Sequence, residues 1–112
     1  MIIIHNKILV DILTLNFANA ITLFPFIFIK YKSYKENQIL INHERIHIKQ
    51  QIELLIIPFY LIYLLDFAIK YLKFKSKKKA YLNISFEREA YSNQNDFNYI
   101  KKRKFWAFIK YI

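Results

Sequence analysis

Residues 39–73 read ILINHERIHIKQQIELLIIPFYLIYLLDFAIKYLK. The stretch predicts a long helical segment from about Ile39 to Lys73, interrupted at Pro58, which removes a backbone hydrogen bond and clashes with the preceding turn. Its first half carries His43-Glu44-Arg45-Ile46-His47, a complete H-E-x-x-H, in a chain with only three histidines. Residues four apart share one helix face, so two imidazoles at this spacing can bind one metal ion. The glutamate beside the first histidine can reach a metal-bound water and take its proton. Random ordering of this composition produces the motif in roughly 0.4% of chains, so chance explains it poorly.

The rest of the composition sets limits. At 112 residues the chain is one domain with a modest core. It has no cysteine, so a metal site must be built from histidine and carboxylate. The net charge of +10 comes mostly from lysine. Ile, Lys, Phe, Asn and Tyr dominate and Gly is absent, the pattern of A/T-rich codons, so much of that charge reflects lysine drift. The basic residues are lysine clusters without any nucleic-acid-binding motif, which argues against a nucleic-acid partner. The start, Met1 to Lys7, lacks the basic-then-apolar order of a signal peptide. The expected location is cytoplasmic or membrane-associated.

Before the motif, residues 1–16 fit a helix or a strand equally well by periodicity. Ile21 to Ile29 (ITLFPFIFI) reads as a strand, with Pro25 placing it at an edge. Lys30 to Asn37 reads as a turn, and Asn42 as a helix-start residue. After residue 73 come a basic linker to Lys79, a helix over 80–95 containing Ser85-Phe-Glu-Arg-Glu-Ala-Tyr91, and a basic, aromatic tail over 99–112 read as an amphipathic helix. His5 reads as a surface or packing histidine, and Gln50 and Gln51 as either ligand-orienting or solvated positions.

The apolar run from Ile52 to Leu72 is marginal as a membrane span, because Glu53, Asp66 and Lys70 lie inside it. A single span would also put His47 and the next acidic cluster on opposite membrane faces, about 30 Å apart. A break at Pro58 instead lets one arm advance about 15 Å and the other return about 21 Å. A third helix then brings residue 87 alongside the histidines. The tyrosines and flanking lysines are compatible with a peripheral membrane surface as a partner.

Catalytic zinc takes three protein ligands and keeps one position open. Glu53, Asp66, Glu87, Glu89 and Asp96 are the downstream carboxylates, and Glu53 lies six residues past His47, pointing away. Here the sequence resembles the gluzincins, zinc peptidases that pair H-E-x-x-H with a glutamate on a following helix, in some members written E-x-x-A-D. Glu87-Arg88-Glu89-Ala90-Tyr91 matches as E-x-x-A-Y, which implies Glu87 as third ligand. Tyr91 stands where the family has an aspartate that buttresses a ligand histidine. A tyrosine there can instead donate a hydrogen bond to a reacting oxyanion, making it a candidate catalytic residue. The chain is also similar, over most of its length, to small bacterial proteins combining ITLFPFIF (21–28), NHExIHxxQQ (42–51) and SFEREAY (85–91) segments.

Together these readings predict an α+β, mainly helical, minimal zincin-like domain: a small N-terminal sheet over 1–37, a motif helix over 38–73 broken near Pro58, and a glutamate helix behind. The expected function is zinc-dependent peptide hydrolysis, with Zn2+ on His43, His47 and Glu87, Glu44 as general base and a peptide or protein as substrate. Two other classes stay open: a catalytically silent metal-binding module, and a small membrane protein in which the motif is incidental.

Overall fold

The computed structural model describes residues 2–112, and the architecture is α+β and mainly helical. The undecided N-terminal stretch is both strand and helix. β1 (Ile2–His5) runs into α1 (Lys7–Thr14), which Asn6 caps by accepting from Leu9 N and which ends where Leu15 turns left-handed. The single strand expected over residues 21–29 is instead a hairpin. β2 (Ala20–Leu23) and β3 (Phe26–Ile29) are antiparallel, and Pro25 lies in the turn between them, where its missing N–H is not needed by the ladder. β1 pairs parallel with β3, so the sheet order is β1-β3-β2 and β2 is an edge. The inner face of this sheet, through Ala20, Ile27 and Ile29, packs on Ile41.

After a short 3-10 turn over Lys32–Glu36, α2 (Gln38–Glu53) begins. Its cap is Asn37, which accepts from Leu40 N, so Asn42 is not the helix start. Asn42 lies a turn further in, buried, and donates to the carbonyls of Gln94 and Asp96. α2 bends by 113° into α3 (Ile57–Phe74). The break sits at Leu55 and Ile56, both at positive φ, and Pro58 stands in the first turn of α3, where its missing donor costs nothing. Among the described residues no single helix is long and apolar enough to cross a membrane, although α2 and α3 together pass that test as a bent pair.

The expected helix over 80–95 is two helices, α4 (Lys77–Asn83) and α5 (Ser85–Asn93). Three lysines assigned to the linker form the first turn of α4. Ile84 leaves helical geometry between the two, and Asp66 of α3 accepts from Ser85 N at 2.7 Å, capping α5 from outside. The tail is not one amphipathic helix either. α6 (Tyr99–Lys102) gives way to an extended Arg103 and a 3-10 turn over Ala107–Tyr111. Phe108 then plugs a second core with Phe59, Ile84 and Phe86.

Arg103 explains why the tail abandons a regular helix. Its guanidinium is buried and forms forked pairs with both Glu53 and Glu89, the first at 2.7 and 3.0 Å. A fork of five fixed donors matches two carboxylates at once, which a lysine cannot do. Removing it strands two buried anions. Arg103→Ala is expected to destabilise the fold by about 3–5 kcal/mol, read as a lowered urea midpoint at unchanged slope. A loss below about 1 kcal/mol would show that water reaches both carboxylates.

Candidate metal centre

α2 is the central helix of the fold, yet six of its eight buried side chains are polar: Asn42, His43, Glu44, His47, Gln50 and Gln51. Burying such groups is costly unless each is hydrogen-bonded. Each of them is. The sheet satisfies one flank. Thr22 Oγ1 donates to Glu44 Oε1 at 2.9 Å, and Gln51 bridges the outer edge of β2 by accepting from Phe24 N and donating to Thr22 O. α5 and the segment after it satisfy the other flank.

The helix spacing does what it predicts. His43 and His47 lie one turn apart, their Nε2 atoms 3.2 Å from each other. α5 brings Glu87 to both, with Oε1 at 3.0 Å from His43 Nε2 and 3.1 Å from His47 Nε2. Glu89 faces elsewhere, because residues two apart on a helix point to nearly opposite sides. It is fully buried and accepts from Gln50, Tyr99 and Arg103. Glu53 pairs with Arg103 and takes no part in the centre. Arg45 is solvent-exposed, and Arg88 donates to the Tyr111 carbonyl, so neither neutralises Glu44 or Glu89.

The imidazoles are oriented from behind. Gln50 Nε2 donates to two pure acceptors, the Phe86 carbonyl and Glu89 Oε1, at 3.1 and 2.9 Å. Its Oε1 must therefore face His47 Nδ1, 2.7 Å away, and that nitrogen must carry a proton. Gln94 Oε1 plays the same part for His43 Nδ1 at 2.8 Å. Both Nε2 atoms are thus the ones presented to the centre. Glu87 is held by its other oxygen, Oε2, which accepts from Tyr63 at 2.7 Å.

Electrostatics complete the arrangement. Burial pushes the His47 imidazole down, but the charge and hydrogen bond of Glu87, helped by Glu44 and Gln50, more than reverse this and raise its pKa to about 9. Burial likewise raises Glu87, and His47 and His43 hold it well below the usual carboxylate range. A cation bound there would compete with the proton that His47 Nε2 otherwise shares with Glu87. The buried His43, Glu44 and His47 form a group able to hold a metal ion.

Around the centre lie two cavities, both lined by Phe17, Ala20, Glu44 and Tyr81. The one of about 210 Å³ on the His47 side is mostly apolar, with Leu13, Leu64 and Phe67 in its wall. The other, of about 220 Å³, reaches His43, Tyr91 and Gln94. Glu44 Oε2 is 3.9 Å from His43 Nε2 and takes no hydrogen bond among the described residues. Tyr91 packs edge-on against His43, ring centres 4.4 Å apart, and its hydroxyl shares a hydrogen bond with that of Tyr81 at 3.2 Å. Burial raises the phenols of Tyr63, Tyr81 and Tyr91, so all three remain proton donors at neutral pH.

Thr22, Tyr63, Tyr81, Gln94 and Arg103 were not singled out by the sequence. Each lies at least 16 residues from the motif, and nothing local ties it to the histidines, so only packing could mark it. In comparisons with family models, curated proteins and solved structures nothing matches this chain, and the geometry alone carries its functional reading.

Proposed function

We propose that this protein is a small zinc-dependent peptidase of gluzincin type. One observation carries the reading: His43 Nε2, His47 Nε2 and Glu87 Oε1 form a triangle with sides of 3.0 to 3.2 Å. Ligands about 2.0–2.1 Å from a tetrahedral ion stand roughly 3.3 Å apart, so the triangle is close to the face of a zinc tetrahedron. Two imidazoles and one carboxylate also suit ferrous iron. Glu44 favours hydrolysis, because a carboxylate with one oxygen anchored and the other free beside the ligands is a proton carrier.

Zinc, when bound, supplies a Lewis acid and a water acidic enough to attack at neutral pH. The chain supplies the rest. His43, His47 and Glu87 would hold the ion, beside the two cavities. Thr22 fixes Glu44 Oε1, so Oε2 takes the proton and returns it to the leaving amine. Tyr81 and Tyr91 offer protonated hydroxyls to a developing oxyanion. β2 is the sheet edge, and Gln51 and Tyr60 occupy it at Thr22 O and Phe24 N. The Ala20 end, which lines both cavities, is where an extended peptide can add as a further strand.

The test is hydrolysis of a mixed peptide library by purified protein, lost on chelation and restored by one equivalent of zinc. Zinc-loaded, folded protein that cleaves nothing would overturn the peptidase reading and leave a metal-binding module.

A further inference from the structure

α3 is built inside out. Its inward side carries Phe59, Tyr63, Asp66, Phe67 and Lys70. Asp66 and Lys70, the only charges between Ile57 and Leu72, pair with each other at 3.0 Å, and Asp66 also caps α5. The outward side is Ile57, Leu61, Leu64, Leu65, Ile69 and Leu72, each more than half exposed. A helix on a water-facing surface turns its charges out and its apolar residues in. This one turns that charged pair in beside Phe59 and Phe67 and leaves a charge-free apolar stripe out over four turns. Scattered exposed leucines need no explanation, but a continuous stripe without charge does.

α1 carries a second apolar stripe, Ile8 and Ile12 on one face with Leu15 at its left-handed end, all more than 60% exposed. The two stripes meet at the apolar cavity. Leu13 and Leu15, at the end of α1, and Leu64 of α3 line it, and each is also 46–62% exposed, so they form its rim. Where α3 ends the chain runs into Lys73, Lys75, Lys77, Lys78 and Lys79, all exposed.

We propose that the face formed by α1 and α3 docks on an anionic lipid bilayer, with α3 lying in the interface, the lysine run on the headgroups and the apolar cavity opening toward the acyl chains. A charge-free apolar stripe ending in clustered lysines is the composition of an interfacial helix, and each lysine near such a surface adds attraction. A second copy of this chain is the poorer occupant, since pairing would bring together two molecules each of net charge +10. The consequence for substrate rests on the peptidase reading: the centre takes apolar peptide segments presented at the membrane.

Flotation with phosphatidylcholine vesicles, with and without phosphatidylglycerol, tests the docking. Wild type is expected to float with the mixed vesicles. The double variant Leu61→Glu/Leu65→Glu, both at exposed positions, should lose binding by about tenfold or more with its circular dichroism and zinc content unchanged. Lys77→Ala/Lys78→Ala/Lys79→Ala should lose roughly a hundredfold on mixed vesicles and little on neutral ones. Wild type that stays with the buffer overturns the proposal. So does a wild-type dimer that Leu61→Glu/Leu65→Glu converts to monomer without any vesicle binding. Zinc-stripped protein should float as well as loaded protein, so loss of the peptidase reading and loss of the docking face are read separately.

Discussion

Purified wild type is expected to hold about one zinc per chain, and His47→Ala and Glu87→Ala to hold none after gel filtration. Each variant removes one corner of the triangle, leaving two ligands that cannot close a coordination shell. His47→Ala also leaves Gln50 Oε1 without its donor, and Glu87→Ala leaves the Tyr63 hydroxyl without its acceptor. Gln50→Leu is the graded member of the series. It keeps all three ligands but frees the His47 ring, and affinity should fall by about 10–100-fold. Affinity should also depend on pH in one direction. His47 keeps its extra proton up to a pKa of about 9, above the ordinary 6.5. Below about pH 9 the ion must displace that proton, so apparent affinity should weaken by about tenfold for each unit of falling pH. Competition with a chromogenic chelator at several pH values measures both effects. A folded wild type without zinc, after loading, would sink the site and the enzyme together.

Glu44→Gln should keep the zinc and lose hydrolysis by about 10²–10⁴-fold. The substitution preserves shape, and a glutamine oxygen can still accept from Thr22, so the buried contact between α2 and β2 survives. What it cannot do is carry a proton. Zinc content and thermal midpoint are therefore the internal controls, and turnover of a peptide cleaved by wild type is the readout. Retained activity would dismiss Glu44 as the base and turn attention to Tyr81 and Tyr91. Loss of zinc along with activity would mean that Glu44 serves as a ligand, in keeping with its place in the buried His43-Glu44-His47 group.

The parts of this protein that local rules govern were readable from the chain. Four-residue spacing puts His43 and His47 on one face of any helix that contains them, whatever surrounds it. The turn at Pro58 follows as directly, though by a different route from the one expected: the proline opens α3 instead of breaking a helix already under way. The preference for Glu87 over Glu89 came from a motif resemblance; in the fold both meet α2, Glu87 at the two histidines and Glu89 at Gln50, a separation that follows from their two-residue spacing.

Other features depend on partners far away in sequence. Ile21 to Ile29 has strand composition throughout, and composition does not say that β1 would claim the second half and leave the first as an edge. The tail looks amphipathic, yet the pull of two buried carboxylates on Arg103 outweighs the few tenths of a kcal/mol per residue that helix propensity offers. The same holds for the direction of α3. Asp66, Lys70 and tyrosines interrupt its apolar run, and only the packing of α5 and the Glu87 carboxylate turns Asp66 and Tyr63 inward. By itself, then, the sequence determined that His43, Glu44 and His47 could hold an ion, because their spacing is a property of one helix. The tertiary structure decided which atoms face it, what fixes their protons and which surface was left without a cover, because those depend on hydrogen bonds and packing between segments that no local pattern records.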